Sequence, residues 1–299
     1  MNDIVLTHYF EWHEAARSSW NTFMQEFCDN GVQHLVLTDP LLKECLSDEN
    51  LFSGLKLRLR THQLQFTDAH LPYGQAWDLA CMDKGRRSGM IADQKRALSY
   101  AADFGCRTAT IHIGAYDSVF FDTPNEVIRP QVVESLQILL EHARSLGIVL
   151  AIENSYEKSN SATELLYYLE ALDFHLSLGV CYDAGHAWVT TNFPGRDPEL
   201  CCSHLKMAWK GDVLCFDDPL GMLYPHIVTA HIHDNNGYGD DHALPGTGSV
   251  DFQLSRLLDA PRLLSWQSEV KVLGSGISIR KLAETFRQMQ NNAARSTLK

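Results

Sequence analysis

GIVLAIEN (147–154) and LSLGVCYD (176–183) are apolar runs that give way to a carboxylate, Glu153 in the first and Asp183 in the second. Near-continuous apolar runs of this length are typical of parallel strands covered on both faces. The same arrangement recurs along the chain, and its other polar ends are His70, His112, His231 and Glu269. The six residues are 42, 41, 30, 48 and 38 positions apart, close to one eighth of the 299 residues. One strand with its helix and loops needs about that length in a (β/α)8 barrel, so the spacing predicts a single TIM barrel domain over residues 1–299.

Strand-like and helix-like segments alternate from end to end of the chain, as in a closed parallel barrel. The strand candidates lie at 4–10, 32–38, 64–70, 106–114, 147–154, 176–183, 227–234 and 262–270. The helix candidates lie at 12–28, 87–104, 130–146, 161–171, 199–209, 252–259 and 277–296, and a short helix is expected to begin at Asp39-Pro40. An open doubly wound sheet is the alternative architecture, but it would not bring six strand ends to one pocket.

Charge and missing motifs narrow the class of function. The formal net charge is −12, from 25 lysines and arginines against 37 aspartates and glutamates, so no overall attraction draws the chain to nucleic acid or to an anionic membrane. The net charge does not exclude a local basic patch. The chain has no GxSxG elbow, Walker A loop or GxGxxG fingerprint, which is against serine-hydrolase, nucleotidase and dinucleotide-binding functions.

Cysteine usage and the start of the chain bear on the compartment. The eight cysteines form no CxxC pair, and MNDIVLTHYF lacks the basic region and long apolar stretch of a signal peptide. No apolar run reaches the length of about 18 to 20 residues that spans a bilayer. We therefore expect a cytoplasmic protein with free thiols and no membrane partner.

Glu153 and Glu269 are carboxylates placed at the ends of apolar segments. An unpaired buried carboxylate is costly, so each needs a partner. A salt bridge to a neighbouring strand would satisfy either one, but joint metal ligation better explains two glutamates at one barrel mouth. Asp183 and His186 form a DxxH unit, in which Gly185 lets the backbone turn and aim both side chains at one ion or substrate.

The segment HIHDNNGYGDDHALPGTGSVDF (231–252) is the most specific stretch for chemistry. Alternation along a strand sends His231 and His233 to the same face, so one can bind metal while the other supports it or contacts substrate. The turn formers that follow predict a loop over the mouth that carries Asp240 and His242 back to the site. A solvated acidic turn is the alternative for this loop.

Further candidates surround these strand ends. His70 and His112 each end a strand candidate, and although such a histidine is often structural, their shared phase with the other four favours contact with metal or substrate. The loop LGSGIS (273–278) lies where many barrels hold a phosphate on backbone N–H groups. Five aromatic residues either suit stacking on a sugar ring or roof the barrel: Tyr73, Trp77, Tyr116, Tyr156 and Trp188.

Together HLPYG, IHIG, IEN, DAGH, HIHDN, DDHALPGTG and SEV, in this order and spacing, resemble the xylose-isomerase-like barrel superfamily. That superfamily includes sugar and sugar-phosphate isomerases and epimerases, and also the endonuclease IV type of abasic-site nuclease. The resemblance extends over residues 4 to 290 and implies a metal site at the C-terminal face of the strands. Such barrels are often dimers or tetramers, so the resemblance is compatible with a homo-oligomer. No segment of the sequence marks an interface.

The ketose 3-epimerase branch implies one divalent ion, manganese, zinc, magnesium or cobalt, at the positions of Glu153, Asp183, His231 and Glu269. In that branch the two glutamates are also the proton-transfer pair, and the histidine that matches His186 positions the sugar. The metal polarises a carbonyl while a carboxylate takes the neighbouring proton. The substrate-binding arginine of that branch has no counterpart in NNGYGDD (235–241), which is against a free ketohexose as the substrate.

The endonuclease branch binds three zinc ions and cleaves phosphate esters by activating water. Its ligands match His70, His112, Glu153, Asp183, His186, His231, Asp240, His242 and Glu269. Against this branch, IHIG stands where it has HPG, DAGH where it has DTCH, and HIHDN where it has HLND. Its polar, glycine-rich first loop is also replaced by FEWHEAARSSW (10–20).

The leading hypothesis is a divalent-metal-dependent isomerase or epimerase for a small carbohydrate-type substrate. Glu153 and Glu269 would bind metal and exchange the proton, and Asp183 and His231 would complete the metal site. Six more residues are expected to bind substrate or additional metal: His70, His112, His186, His233, Asp240 and His242. A zinc phosphodiesterase acting on abasic DNA is the alternative, and a barrel that binds a ligand without turnover is a third class.

Overall fold

Eight parallel strands close into a barrel in the computed structural model of the chain, which describes residues 4–114, 119, 120, 122–211 and 213–296. The strands follow one another around the barrel in chain order: β1 Val5–His8, β2 His34–Leu37, β3 Gln65–His70, β4 Thr108–Ile111, β5 Val149–Glu153, β6 Leu178–Asp183, β7 Ile227–Ile232 and β8 Ser265–Ser268. The barrel closes where β1 pairs with β8, from Val5 opposite Ser265 to His8 opposite Ser268. The predicted (β/α)8 fold is confirmed.

Helices surround the barrel and connect its strands. Their bounds are α1 Trp20–Asp29, α2 Asp39–Ser47, α3 Glu49–Thr61, α4 Lys84–Phe104, α5 Asn125–Ser145, α6 Ala162–Ala171, α7 Ala184–Val189, α8 Ser203–Trp209, α9 Pro219–Leu223, α10 Leu254–Leu258 and α11 Ile279–Ser296. Gly105 ends α4 in the left-handed conformation with φ of 92°, which is the C-cap geometry that glycine favours.

Several helices differ from the sequence-based expectation, because α3, α7 and α9 were not predicted and others begin at different residues than expected. The first begins at Trp20 and not at residue 12, because Trp12 is buried against Trp20 and the Trp20 indole N–H donates to the Trp12 and Ala15 carbonyls at 3.1 and 3.2 Å. Helix α3 was not predicted. Its signal is Asp48, whose side chain accepts the N–H groups of Asn50 and Leu51 as an N-cap.

A polar layer fills the barrel interior around Asp68 of β3. The Asp68 carboxylate accepts hydrogen bonds from the hydroxyls of Thr7 at 3.1 Å and Ser265 at 2.8 Å, and from that of Thr108. Burial raises the pKa of Asp68, although these three hydroxyls lower it in part. Because donors from three other strands satisfy the buried carboxyl group of β3, this layer ties four strands together across the barrel.

Two further observations concern the chain as a whole. In the described part of the chain, every helix is too short or too polar to cross a membrane. All eight cysteines are free thiols, as expected from their spacing.

Candidate metal centre

The ends of β5 to β8 bring four side chains to one point, which we call the central quartet: Glu153, Asp183, His231 and Glu269. Each offers one ligand atom, and these atoms all lie within 4.8 Å of one another. Nδ1 of His231 lies 3.0 Å from Oε1 of Glu153, 2.9 Å from Oε2 of Glu269 and 3.7 Å from Oδ2 of Asp183. Strand ends far apart in sequence thus bring three carboxylates and one imidazole to a single centre.

The atoms of the central quartet converge without bonding to one another. Both oxygens of Glu153, Oδ2 of Asp183, Nδ1 of His231 and Oε2 of Glu269 are buried and have no hydrogen-bond partner among the described residues. Buried carboxylates without a partner are costly. Nitrogen and oxygen ligands that surround one zinc-like ion at about 2.1 Å lie roughly 3 Å apart, as these atoms do. The quartet therefore fits a divalent cation.

Glu153 also faces a second group, formed with His70 and His112. Its Oε2 lies 3.2 Å from Nε2 of His70 and 2.9 Å from Nε2 of His112. Nδ1 of His70 lies 3.1 Å from the Leu71 carbonyl, which only accepts, so Nδ1 donates and Nε2 presents its lone pair to the site. Glu153 thus belongs to two groups of possible ligands. Its Oε2 faces His70 and His112, and its Oε1 faces His231 of the central quartet.

A third group lies beside the quartet, and we call it the histidine group: His186, His233, Asp240 and His242. The Asp240 carboxylate lies 3.2 Å from Nε2 of His242, 3.4 Å from Nε2 of His186 and 3.7 Å from Nε2 of His233. Nδ1 of His186 donates to the Asn154 carbonyl at 3.2 Å, and Nδ1 of His242 donates to the Glu269 carbonyl at 2.9 Å. Both rings therefore direct Nε2 toward the group, as metal-binding histidines do.

Asp183 connects the central quartet with the histidine group. Its Oδ1 lies 3.2 Å from Nε2 of His233 and also accepts the backbone N–H of His186 at 2.6 Å as the N-cap of α7. Asn154 fixes this strand end, because its amide donates to the Asp183 carbonyl at 2.8 Å and accepts the Asp183 N–H at 3.0 Å. Asn154 was not among the residues predicted from the sequence, although it directly follows Glu153.

Two local features hold the segment that carries Asp240 and His242. The buried Asp234 carboxylate accepts the backbone N–H groups of Asn235, Gly246, Gly248 and Val250 at 2.8 to 3.0 Å. Gly185 packs directly against the His233 ring, and a Cβ atom there would lie 2.2 Å from it. The Asp234 carboxylate therefore holds the loop through its backbone N–H groups. Close packing against Gly185 holds the His233 ring in position.

In the metal-free protein these side chains shift one another's pKa. Burial would raise the pKa of Glu153, but the imidazoles of His231 and His112 outweigh it and hold that pKa well below its ordinary value. Burial would lower the pKa of His242, but the Asp240 carboxylate outweighs it and raises the pKa to about 9. A metal ion that binds these groups must therefore displace protons from imidazoles.

A cavity of about 300 Å³ opens onto these groups at the C-terminal face of the strands. Tyr73 and Tyr156 line it: the Tyr73 ring stacks on that of His112 at 4.8 Å, and the Tyr156 ring lies edge-on to His186 at 5.6 Å. Trp77 and Trp188 are not among the described residues that line this cavity. Tyr116 lies outside the described residues.

All ten residues that the sequence singled out lie in the three groups: His70, His112, Glu153, Asp183, His186, His231, His233, Asp240, His242 and Glu269. The structure thus brings all ten residues together, while their chemical roles stay predictions. Five polar residues that line the cavity were not predicted from the sequence: Tyr9, Asp39, Ser155, Glu157 and Lys271. Tyr9 and Asp39 follow β1 and β2 as the other site residues follow their strands, so the same phase rule could have found them.

The chain belongs to the family of xylose isomerase-like TIM barrels, whose sequence profile matches residues 30–266. This match confirms the resemblance that the strand-end motifs indicated.

Two curated relatives match part of the chain. Uncharacterized protein y4fM of Sinorhizobium fredii is 27% identical over 176 residues, which cover 57% of this chain and 48% of that protein. Uncharacterized protein MJ1311 of Methanocaldococcus jannaschii is 24% identical over 211 residues, which cover 69% of this chain and 64% of that protein. The chain therefore spans less than two thirds of the length of either relative.

Solved structures match over nearly the full length of the chain. A D-tagatose 3-epimerase-like protein superposes with a TM-score of 0.68 at 18% identity, covering 100% of both chains. D-psicose 3-epimerase in the presence of D-fructose gives 0.66 at 15% identity, covering 98% of both. The TTHB071 protein of Thermus thermophilus, soaked with ZnCl2, gives 0.60 at 24% identity, covering 96% of this chain and 97% of that one. At these identities the likeness shows the shared fold.

Proposed function

We propose that this barrel is a divalent-metal-dependent isomerase or epimerase that acts on a sugar or a sugar phosphate. The observation that carries the proposal is the central quartet, in which Glu153 and Glu269 approach one centre from different strands together with Asp183 and His231. The quartet opens onto a cavity of about 300 Å³, which is at the small end of ligand pockets and suits a monosaccharide.

The residues have distinct roles in this proposal. Glu153, Asp183, His231 and Glu269 would hold a divalent ion, which would polarise the substrate carbonyl as a Lewis acid when bound. One of the two glutamates takes the proton from the carbon beside that carbonyl, and the other returns a proton from its own side. His186, fixed by its bond to the Asn154 carbonyl, orients a sugar hydroxyl group.

The comparisons support this choice of chemistry. The family described as xylose isomerase-like includes this chain, and two of the similar solved structures are described as a D-tagatose 3-epimerase-like protein and a D-psicose 3-epimerase. The zinc soak of the Thermus protein supports testing zinc beside manganese, magnesium and cobalt.

A proton-exchange assay tests the proposal. Protein loaded separately with each of the four metals is incubated in D2O with a panel of aldoses, ketoses and their phosphates, and NMR detects deuterium at the carbon beside the carbonyl. We expect Glu153→Gln and Glu269→Gln to lower exchange at least about 100-fold, because each removes a proton-transfer group. Glu170→Gln, on the exposed face of α6, is the matched control. Full exchange in either site variant would contradict the proposal.

A second candidate function is hydrolysis of phosphate diesters in abasic DNA. Three adjoining donor groups, which share Glu153 and Asp183, are more than a single-ion enzyme needs. Two or more divalent ions side by side suit displacement at phosphorus. Metal analysis and cleavage of an abasic duplex separate the candidates. Three zinc ions per chain with cleavage favour the nuclease, and one ion with exchange favours the isomerase.

A further inference from the structure

Lys271 is distinctive among the residues that line the cavity. Of the described lining residues it is the one lysine, and none of them is an arginine. The other charged or imidazole residues there are carboxylates and histidines, and most of them belong to the three donor groups. A fixed positive charge in this wall therefore comes from a single side chain.

The backbone around Lys271 fixes where its side chain begins. The Lys271 N–H donates to the His242 carbonyl at 3.1 Å, and the Glu269 N–H donates to the Ile232 carbonyl at 3.0 Å. Lys271 follows Glu269 by two positions just beyond the end of β8. Both residues line the cavity.

Two of the carboxylates that line the cavity, Asp39 and Asp240, have cationic or imidazole partners of their own. Asp39 holds the ammonium group of Lys43 at 2.6 Å, and Asp240 lies between the rings of His186 and His242. Lys271 is exposed, and its ammonium group makes no hydrogen bond or ion pair with any described residue. Lysine is a compact point charge with three donors, so this group is free to meet an anion in the cavity.

Part of the backbone of the nearby loop already has partners within the protein. The sequence analysis raised LGSGIS (273–278) as a phosphate loop. Oε1 of the buried Glu11 already accepts the N–H groups of Val272 and Leu273 at 2.7 and 3.3 Å. The Ser278 hydroxyl accepts the N–H of Lys281 at 3.1 Å in the first turn of α11. A carboxylate at this loop would also repel a bound phosphate.

We infer that Lys271 binds an anionic group of the substrate, a carboxylate or a phosphate, a few carbon atoms away from the carbon that reacts at the central quartet. The inference rests on the proposed function, because the quartet must hold the reacting end. It makes Lys271 a specificity-determining residue, and it makes acidic or phosphorylated sugars the substrate class in preference to neutral sugars.

Calorimetric titration of the manganese-loaded protein tests the inference without turnover. The ligands are D-glucose, D-glucose 6-phosphate, D-glucuronate and inorganic phosphate, so that a phosphate and a carboxylate are compared on the same sugar. We expect at least one anionic sugar to bind about 10-fold more tightly than D-glucose. Lys271→Met should abolish this preference, whereas Lys271→Arg should retain most of it.

Lys281→Met is the matched control, because it removes the same charge from the exposed surface of α11. Its preference for anionic ligands should equal that of the wild type. Equal affinity for neutral and anionic sugars in the wild type, no measurable anion binding, or an unchanged preference in Lys271→Met would each overturn the inference. Failure of the proposed function can be told apart from failure of this inference. In that case proton exchange is absent, but the wild type still prefers anionic sugars and Lys271→Met still loses this preference.

Discussion

Oε1 of Glu153 lies 3.0 Å from Nδ1 of His231, and the two side chains are each 1% exposed. They come from β5 and β7, with β6 between them, and neither atom has a hydrogen-bond partner among the described residues. Close approach without a directed bond is the geometry expected of two ligands of one ion. The next four predictions follow from this relationship and from the residues that maintain it.

Metal binding should stabilise the protein through Glu153. Manganese or zinc at about 100 times its dissociation constant adds about 2.7 kcal/mol to the free energy of unfolding. We expect this to raise Tm by several degrees in a chain of this size. In Glu153→Gln the increase should largely disappear, because that residue serves two donor groups.

Differential scanning calorimetry with and without EDTA measures this effect, and metal analysis gives the bound ions. Glu170→Gln should respond to metal as the wild type does. A Tm increase in Glu153→Gln as large as that of the wild type would show that the ion binds elsewhere.

The pH dependence of the metal-free protein should reveal His242. Its pKa is raised from 6.5 to about 9 by Asp240. A group whose pKa is raised by folding contributes stability that is complete below the unfolded pKa and is lost as the pH rises through the folded pKa. We expect the free energy of unfolding in EDTA to fall between about pH 6.5 and pH 9, by an amount on the order of 2 kcal/mol from this residue.

Urea denaturation at several pH values, for the wild type and for His242→Asn, isolates this contribution. The decrease should be smaller in His242→Asn and unchanged in His13→Asn, which alters a partly exposed histidine. Saturating metal should reduce the decrease, because the ion replaces the proton. Identical pH profiles for the wild type and His242→Asn would contradict the assignment.

Gly185→Ala should disturb the histidine group specifically. A Cβ atom there would lie 2.2 Å from the His233 ring, so the ring or α7 must move, at a cost of about 1 to 3 kcal/mol. We expect a lower metal content in a folded protein, measured by metal analysis and circular dichroism. Gly54→Ala in α3 is the control, because no atom lies within 4 Å of the new Cβ and alanine favours a helix. Unchanged metal content in Gly185→Ala would show that the His233 ring position is unimportant.

Asp234→Ala should loosen the loop that carries Asp240 and His242. It removes a buried carboxylate that accepts four backbone N–H groups, so we expect a cost of about 2 to 4 kcal/mol in the free energy of unfolding and weaker metal binding. Asp251→Ala, on the exposed chain just beyond the loop, should change stability by no more than about 0.5 kcal/mol. Urea denaturation and metal titration measure both variants. Equal stability for the two variants would refute the structural role of Asp234.

The strands were predictable because their signal is local. Apolar runs such as VLAIE and LGVCYD need no partner to be recognised, and the polar residue that ends each run marks the C-terminal face. Helix starts were less predictable. The residues before Trp20 have a helix-like apolar spacing, but the burial of Trp12 against Trp20 decides their conformation.

The sequence by itself determined the eightfold alternation, the barrel and the set of polar residues at its mouth, because period and phase along one chain encode them. Only the tertiary structure decided how those residues divide into three groups, which oxygen of Glu153 faces which histidines, and that Lys271 joins the cavity wall without a partner. These features depend on distances between strands that are far apart in the chain. Side-chain direction and barrel closure set those distances, and no periodicity in a single segment records them.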